Sequence, residues 1–255
     1  MLIGYPWDIR SVRNPMRGLR VATADNVVLH QMLSGANRAT VRPNTPRRWS
    51  ASWAELSELD ARWLRALVRR TNGPGPFVVI DPATSNYQRP ATSLGLGRPD
   101  QWAVSSGAIA TQPDLTNLWT NGGAAAQLTW RHPVWGRWPV TNGLPFAFRH
   151  NAPAGQYALT GIYFYTRAGA YLTGLQTGNP DIAISPPAGA VWATPWLTKA
   201  GTGAFTVPAS CVRYGSAVGP TWYEGEHTGA ITLLSPAETI NRLPARDLTL
   251  DLVEV

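Results

Sequence analysis

WSASWAELSELDARWLRALVRRTNGPGPFVVIDP, residues 49 to 82, is the stretch in which the local signals for strand, helix and turn are clearest. Trp49, Ala51 and Trp53 alternate with two serines, which predicts a strand with one bulky apolar face. The continuous apolar run from 77 to 80 predicts a short buried strand. A helix is expected between these two strands.

This helix has signals at both ends. Ser57 is placed to cap its N-terminus, acidic residues follow in the first turn, and arginines occupy the last turn. Asn72-Gly73-Pro74 predicts where it stops, since Gly accepts the left-handed conformation and Pro cannot continue a helix. One side carries an apolar stripe, formed by Leu56, Leu59, Trp63, Leu64, Leu67 and Val68. The opposite, solvated side carries Glu58, Arg62, Arg65 and Arg69.

Length and composition favour a mainly β protein of two domains. The 255 residues are enough for two hydrophobic cores. Charged residues make up 15% of the chain, and 24 glycines and 22 prolines indicate many turns. Since only one convincing helix is present, strands and turns must form most of the rest.

Positive charge is concentrated in the first part of the chain. Residues 1 to 70 hold twelve arginines against five carboxylates, which accounts for the whole net charge of +7. A basic surface can attract nucleic acid, an anionic membrane or an acidic protein. No zinc-finger spacing, basic helix or RNA-binding aromatic motif accompanies the charge, so specific nucleic-acid binding is not expected. Arg62, Arg65 and Arg69 are candidates for an assembly interface, because arginine pairs well with carboxylates.

The order of elements resembles a known family. A tryptophan-rich strand, a capped helix, a GPGPF turn and an apolar strand ending in DP are similar to the N-terminal domain of siphophage distal tail proteins and related minor tail proteins of actinobacteriophages. The resemblance covers residues 1–114 and is most specific at 49–82, with Asn86 following. It implies a homohexameric ring in the virion tail tip, or baseplate, that joins the tail tube protein to the tip hub protein. The tape-measure protein would be a further partner, and assembly would take place in the host cytoplasm.

Around that stretch the signals are weaker. Val27 to Leu29 and Ala39 to Arg42 predict a hairpin through a turn at Ser34 to Asn37. Pro- and Gly-rich sequence from 82 to 114 predicts connecting chain, with a domain boundary near residue 114.

From Leu115 onward, short apolar runs at regular spacing predict a β-sandwich, a jelly roll over 115–255. Asn142-Gly143 is a strong hairpin signal. The predicted strands are Gln127 to Trp130, Leu144 to Phe148, Tyr157 to Tyr165, Tyr171 to Leu175, Val191 to Trp196, Ala204 to Val207, Val212 to Ala217, Thr221 to Glu224, Ala230 to Leu234 and Leu248 to Val255.

The phrases PFAFRHNAPAGQYALTGIYFYT, WATPWLTK, VPASCVRYGSAVG, GPTWYEGEHTGAITL and LTLDLVEV resemble, in their order, the jelly-roll module that actinophage minor tail proteins carry. That module is similar in fold to carbohydrate-binding modules. Sandwich modules of this kind hold sugars on exposed aromatic rings. Candidate glycan contacts are therefore Trp135, Trp138, Trp222 and Tyr223, although aromatic residues in a sandwich also serve as core or interface.

No pattern indicates catalysis, a cofactor or a metal. Glu224 and Glu226 would lie roughly 7 Å apart on one strand face, whereas a glycosidase pair needs opposed positions across a sugar ring. Two carboxylates on a solvated strand are therefore the better interpretation. His30, His132, His150 and His227 show no metal-ligand spacing. Cys211 is expected to be a buried small hydrophobe. Nor does the sequence contain a signal peptide or a membrane-spanning run, so no membrane insertion is expected.

These patterns favour a structural protein of a phage tail tip, forming a ring that joins the tail tube to the hub. An alternative is a module that binds host cell-wall glycan. An enzyme is a more distant third possibility.

Overall fold

The computed structural model describes residues 1–16, 20–22, 27–31, 37–41, 47–81, 83–222, 224–234, 237–242 and 245–255. Within these residues the protein is mainly β, as the sequence predicts, and its strands pair in antiparallel sheets.

The first part of the chain forms seven of the described strands and one helix. They are β1 (Leu2–Tyr5), β2 (Asp8–Ser11), β3 (Arg20–Ala22), β4 (Val27–Gln31), β5 (Asn37–Val41), β6 (Arg48–Leu56), α1 (Glu58–Val68) and β7 (Phe77–Ile80). β4 pairs with β5, which confirms the predicted hairpin, while residues 32 to 36 of its turn lie outside the described residues. The alternation in β6 is confirmed, because Trp49, Ala51 and Trp53 are all buried.

Helix α1 begins as predicted and ends earlier than predicted. The Ser57 hydroxyl accepts a hydrogen bond from the Asp60 N–H at 3.1 Å. At the other end Arg70 adopts the left-handed conformation, with φ of 55°. Its N–H donates to the Leu67 carbonyl at 3.0 Å, and the Thr71 N–H donates to the Ala66 carbonyl at 3.1 Å. These bonds satisfy the last carbonyls before the chain reaches Asn72-Gly73-Pro74.

The predicted apolar stripe of α1 is wrong at Leu59, whose surface is 77% exposed. The buried residues of the helix are Ala61, Trp63, Leu64 and Leu67. With 3.6 residues per turn, Leu59 lies about 110° around the helix from the centre of that group. It therefore faces solvent beside the arginine-bearing side.

The middle of the chain forms a second unit. Its elements are α2 (Pro90–Ser93), a 3-10 helix (Pro99–Gln101), β8 (Trp102–Val104), β9 (Ala108–Thr111), β10 (Asn117–Thr120), β11 (Gln127–Trp130), β12 (Trp138–Pro139), β13 (Phe146–His150), β14 (Tyr157–Tyr165), β15 (Tyr171–Thr177), β16 (Asp181–Ile184), β17 (Trp192–Lys199), β18 (Phe205–Thr206) and β19 (Ser210–Tyr214). The larger sheet has the order β15-β14-β17-β11-β8, with β12 also paired to β17. The smaller sheets have the orders β16-β13-β19 and β18-β10-β9.

These sheets enclose one hydrophobic core, so the predicted β-sandwich is confirmed. Ile162 and Phe164 from the larger sheet pack in the same cluster as Phe146 and Phe148 from β13. The hairpin predicted at Asn142-Gly143 is wrong, because β12 pairs with β17 whereas β13 pairs with β16 and β19. That turn instead carries the chain from one sheet of the sandwich to the other.

The last strands of the chain join β1, β2, β3, β6 and β7 in one sheet, which we call the first sheet. β20 (Ala230–Leu233), β21 (Ala237–Arg242) and β22 (Ala245–Glu254) complete it, in the order β2-β1-β7-β20-β22-β6-β3 with β21 beside β22. The alternation predicted for the last strand is confirmed, since Leu248, Leu250 and Leu252 are buried. Thr221, Trp222 and Glu224 lie in no strand, so the strand predicted there is wrong for its described residues.

The sheets therefore divide the chain differently from the boundary predicted at residue 114. That residue lies inside the β9–β10 hairpin, and strands of both 1–114 and 115–255 share the first sheet. The segment 82 to 114 is also more than connecting chain, because Tyr87 and Trp102 are buried in the sandwich core. Pairing between residues so far apart leaves no local signal in the sequence.

Strand β7 lies between the two hydrophobic cores. Phe77 and Val79 pack in the core under α1, whereas Val78 and Ile80 pack in the sandwich core. Successive side chains of a strand point to opposite faces, so a continuous apolar run is needed where both faces are covered.

We expect Trp63→Ala to lower the free energy of unfolding by about 3 to 5 kcal/mol, because it empties a large aromatic site in a core. The Trp63 indole is buried and donates from Nε1 to the Ile3 carbonyl at 3.1 Å. Urea titration of the full chain measures the loss. Leu59→Ala on the same helix is the matched control and should cost less than about 0.5 kcal/mol. Equal losses for the two variants would show that this orientation of α1 is wrong.

Candidate functional site

One outward surface of the sandwich is rich in aromatic side chains. In β14, Ile162 and Phe164 point into the core, so Tyr163 and Tyr165 point outward. Strand pairing places Trp192 of β17 and Tyr171 of β15 opposite Tyr165. We call this surface the aromatic face; it consists of Trp135, Tyr163, Tyr165, Tyr171 and Trp192.

Two glycines let aromatic rings lie against the backbone of this sheet. A Cβ at Gly161 would clash with the indole of Trp196 and lie 2.7 Å from the Leu175 carbonyl oxygen. A Cβ at Gly174 would lie 2.6 Å from Cδ1 of Tyr163. Glycine inside a strand often marks such a close approach. The buried Trp196 ring in turn supports Tyr163, with ring centroids 5.0 Å apart and planes at 27°.

The other rings of the aromatic face continue from Tyr163 toward one end of the sheet. The centroid of Tyr171 lies 5.8 Å from that of Tyr163 and 6.0 Å from that of Tyr165. Trp135 and Trp192 lie 6.4 Å apart by the same measure. Tyr171 is 60% exposed, and the remaining four rings are half-buried. Along β14, the outward positions from Gly161 to Tyr165 span about 13 Å, at roughly 3.3 Å per residue.

Polar groups border these rings. The Gln127 side-chain amide donates to the Tyr163 hydroxyl at 2.7 Å. The Arg137 guanidinium lies over the Tyr165 ring, with its carbon 3.8 Å from the centroid, and donates from Nη1 to the Gly169 carbonyl at 3.2 Å. Gln176, exposed on β15, is paired with Gly161. Flat apolar surfaces bordered by amide and guanidinium donors suit a ligand with apolar faces and hydroxyl edges.

The structure separates the four predicted glycan contacts. Trp135 lies on the aromatic face, whereas Trp138 is 1% exposed and packs in the sandwich core, so its predicted role as a surface contact is wrong. Trp138 points inward because β12 pairs with β17, opposite the buried Ala193. Trp222 packs on Ala147 and Cys211, which lie on the outer side of the smaller sheet. Tyr223 lies outside the described residues.

Glu224 and Glu226 do not form a pair directed at one ligand. Glu224 is exposed, while the Oε1 atom of Glu226 accepts hydrogen bonds from the Ser85 N–H at 2.7 Å and the Ser85 hydroxyl at 2.5 Å. Glu226 therefore fastens the chain that leaves the sandwich to the chain that enters it.

Two arginines of α1 form ion pairs within the first unit, which consists of α1 and the first sheet. Glu58 lies 3.4 Å from Nε of Arg62 and 3.3 Å from Nη2 of Arg65, and it also binds Nε of Arg246 at 2.6 Å. Arg69 is exposed. Their role at an assembly interface stays a prediction.

Sequence reasoning missed four of the five residues of the aromatic face: Tyr163, Tyr165, Tyr171 and Trp192. The signal was present in GIYFY at 161 to 165, where two tyrosines alternate with two strictly apolar residues. This alternation places tyrosines on one face of the strand and apolar residues on the other. Because only one face of β14 lies in the core, the tyrosines are on its outer face.

Three buried histidines form hydrogen bonds that hold loops of the sandwich and the chain that leaves it. Nδ1 of His132 accepts from the Val134 N–H at 3.1 Å, and Nδ1 of His150 accepts from the Ala152 N–H at 3.2 Å. His227 accepts from the Gly229 N–H at 3.0 Å and lies 3.0 Å from the Thr84 hydroxyl. Burial lowers the pKa of His132 to about 3 and the pKa values of His150 and His227 to about 4. All three rings are therefore neutral at pH 7.

Cys211 is fully buried, as predicted, and burial raises the pKa of its thiol to about 12. Among the described residues, no group of three or more His, Cys, Asp or Glu is arranged to hold a metal ion. In the same part of the chain, none of the helices is long and apolar enough to cross a bilayer.

Comparison with known proteins gives weak matches. No protein-family model matches the sequence, and no curated protein matches it. The resemblance to distal tail proteins therefore stays a prediction.

Among solved structures, the chain is similar to accessory secretory protein 1, 2 and 3 of Streptococcus pneumoniae, with 16% identity and a TM-score of 0.40 over 51% of this chain and 98% of that chain. It is also similar to the enzymatically active domain of bacteriophage CBA120 tailspike protein 4, with 13% identity and a TM-score of 0.38 over 51% of this chain and 21% of that chain. A carbohydrate-binding module of the β-sandwich superfamily matches with 13% identity and a TM-score of 0.35, over 74% of this chain and 86% of that chain. These TM-scores are too low to establish a shared fold.

The buried histidines predict that the protein loses stability in mild acid. Their folded pKa values lie below the unfolded value of about 6.5, so the unfolded chain binds more protons between pH 6.5 and 4. Stability should be fully present above pH 6.5 and fall by roughly 1 to 2 kcal/mol per histidine by pH 5.

Urea titrations at pH 7.5, 6 and 5 measure this dependence. A His227→Gln variant, although less stable, should show a shallower fall than the unsubstituted chain. A flat profile from pH 7.5 to 5 would contradict the assignment of three neutral buried rings.

Proposed function

We propose that the protein binds a glycan on the aromatic face of its sandwich. The observation that carries this proposal is the set of rings held against the outer side of the sheet, where Gly161 and Gly174 leave room for Trp196 and Tyr163. Outward positions of a one-sided sheet are ordinarily polar, so four aromatic residues on its strands call for a ligand or partner. Trp135 borders them from the turn before β12 and also packs against the sandwich core.

The groups on this face match the chemistry of a sugar chain. Tyrosine offers a flat apolar ring together with a hydroxyl, and Gln127, Gln176 and Arg137 supply donors at its border. Sugar rings present an apolar face and polar edges, which match these two kinds of group.

We further propose binding without cleavage at this face. The strands of the larger sheet, including β12, contain no Asp or Glu. Glycoside hydrolysis ordinarily requires two carboxylates flanking the scissile bond. Reducing ends released from a bound polysaccharide would overturn this part of the proposal.

The test is binding of the full chain to a glycan array and to bacterial cell walls. Tyr171→Ala combined with Trp192→Ala should weaken binding by about tenfold or more, since about 1.4 kcal/mol corresponds to tenfold. Trp222→Ala, on the other side of the sandwich, is the matched control and should bind as the unsubstituted chain does.

Thermal melting must show that the double variant is folded. A folded double variant that binds as tightly as the unsubstituted chain would contradict the proposal. So would an unsubstituted chain that binds no glycan.

A second candidate is a ring-forming protein of a phage tail tip, located in the virion. The exposed side chain of Leu59, beside Arg62 and Arg69 on the outer side of α1, supports it. An apolar side chain among arginines suits a contact between copies of the chain. Tail tube, hub and tape-measure proteins would be its other partners. Sedimentation of the purified chain, alone and with Leu59→Glu, distinguishes a ring from a monomer.

A further inference from the structure

Two arginines lie at the end of the aromatic face where β14 turns into β15. The guanidinium of Arg137 stacks on Tyr165 and donates to the carbonyl of Gly169 in this turn. Arg167 belongs to the same turn, is exposed, and lies with its guanidinium carbon 4.6 Å from the ring centroid of Trp7. Both cations are therefore positioned by aromatic rings.

Neither cation is matched by a carboxylate. Among the residues that the structure describes, no Asp or Glu lies within 4.0 Å of the charged nitrogens of Arg137 or Arg167. Other arginines of the protein do have such partners, for example Arg149 with Asp181 at 3.7 Å and Arg98 with Asp100 at 2.8 Å. Since the strands of the larger sheet also carry no Asp or Glu, no carboxylate on that sheet offsets the two guanidinium charges at this end of the aromatic face.

The geometry of Arg137 leaves it able to bind an anion. A guanidinium has five N–H donors in one plane, and Arg137 uses one of its nitrogens to donate a hydrogen bond to the Gly169 carbonyl. Stacking on Tyr165 occupies a flat side of the group and leaves its edges available. Carboxylates and phosphates match such an edge with two parallel hydrogen bonds.

We infer that the ligand of the aromatic face is an anionic glycan, whose carboxylate or phosphate group binds at Arg137 and Arg167 while its sugar rings stack on the tyrosines. This inference rests on the proposed glycan binding and specifies the class of ligand. The negative group belongs either to the sugar, as in a uronic acid, or to a phosphodiester in the polymer; the shared chemistry is a singly charged oxyanion beside a sugar ring.

Calorimetric titration of the full chain with three polymers tests it. The probes are polygalacturonate, the same polymer with its carboxyl groups reduced to alcohols, and a glycosylated poly(glycerol phosphate). At least one of the two anionic polymers should bind about tenfold or more tighter than the reduced polymer. The anionic polymer that binds more tightly shows whether the protein recognises the carboxylate or the phosphate. Raising the salt concentration should weaken only the anionic binding.

Variants assign the effect to these arginines. Arg137→Gln and Arg167→Gln should each reduce the affinity for the anionic polymer by severalfold and leave the affinity for the reduced polymer unchanged. Arg98→Gln, in the exposed loop before β8, removes the same charge elsewhere and should have no effect. Because Arg167 lies exposed in a turn, its variant remains informative even if Arg137→Gln unfolds the chain.

Equal binding of the reduced and anionic polymers, or anionic binding that survives both substitutions, would overturn the inference and leave glycan binding intact. A chain that binds none of the three polymers, nor any glycan on the array, would overturn both proposals.

Discussion

The structure depends on one strand that is buried on both sides. Phe77 and Val79 of β7 complete the core beneath α1, and Val78 and Ile80 complete the core of the sandwich. Its backbone is paired with β1 on one side and β20 on the other. Moving β7 by one residue would exchange the side chains that the two cores receive, so the register of this strand ties both units together.

The chain that enters the sandwich and the chain that leaves it run together beside this strand. The amide of Asn86 donates to the Ser210 carbonyl at 3.3 Å and accepts from the Val212 N–H at 3.2 Å, and Glu226 holds Ser85. Because buried polar groups are costly unless they are hydrogen-bonded, these contacts favour one arrangement of the two units. The contact of Arg167 with Trp7 also joins the cationic end of the aromatic face to the first unit.

The sequence revealed most where structure is determined locally. Ser57, the alternation around Ala51 and the apolar run of β7 each carry a signal within a few residues, and each prediction is confirmed. The placement of β20 and β22 beside strands from the start of the chain depends on contacts more than 150 residues apart, so the boundary at 114 followed composition instead. The aromatic face was hidden for a related reason: whether Tyr163 is core or surface depends on which faces of its sheet are covered.

Hydrogen exchange of two alanine variants tests most directly whether β7 makes the two units a single cooperative structure. Amides of β14 report on the sandwich, and amides of β22 report on the first sheet. Val78→Ala removes a contact from the sandwich core and Val79→Ala removes one from the core under α1. If the strand couples the units, each substitution lowers the exchange free energies of β14 and β22 amides together and by similar amounts. If Val78→Ala lowers only the values in β14 and Val79→Ala only those in β22, the units unfold independently and the account is wrong.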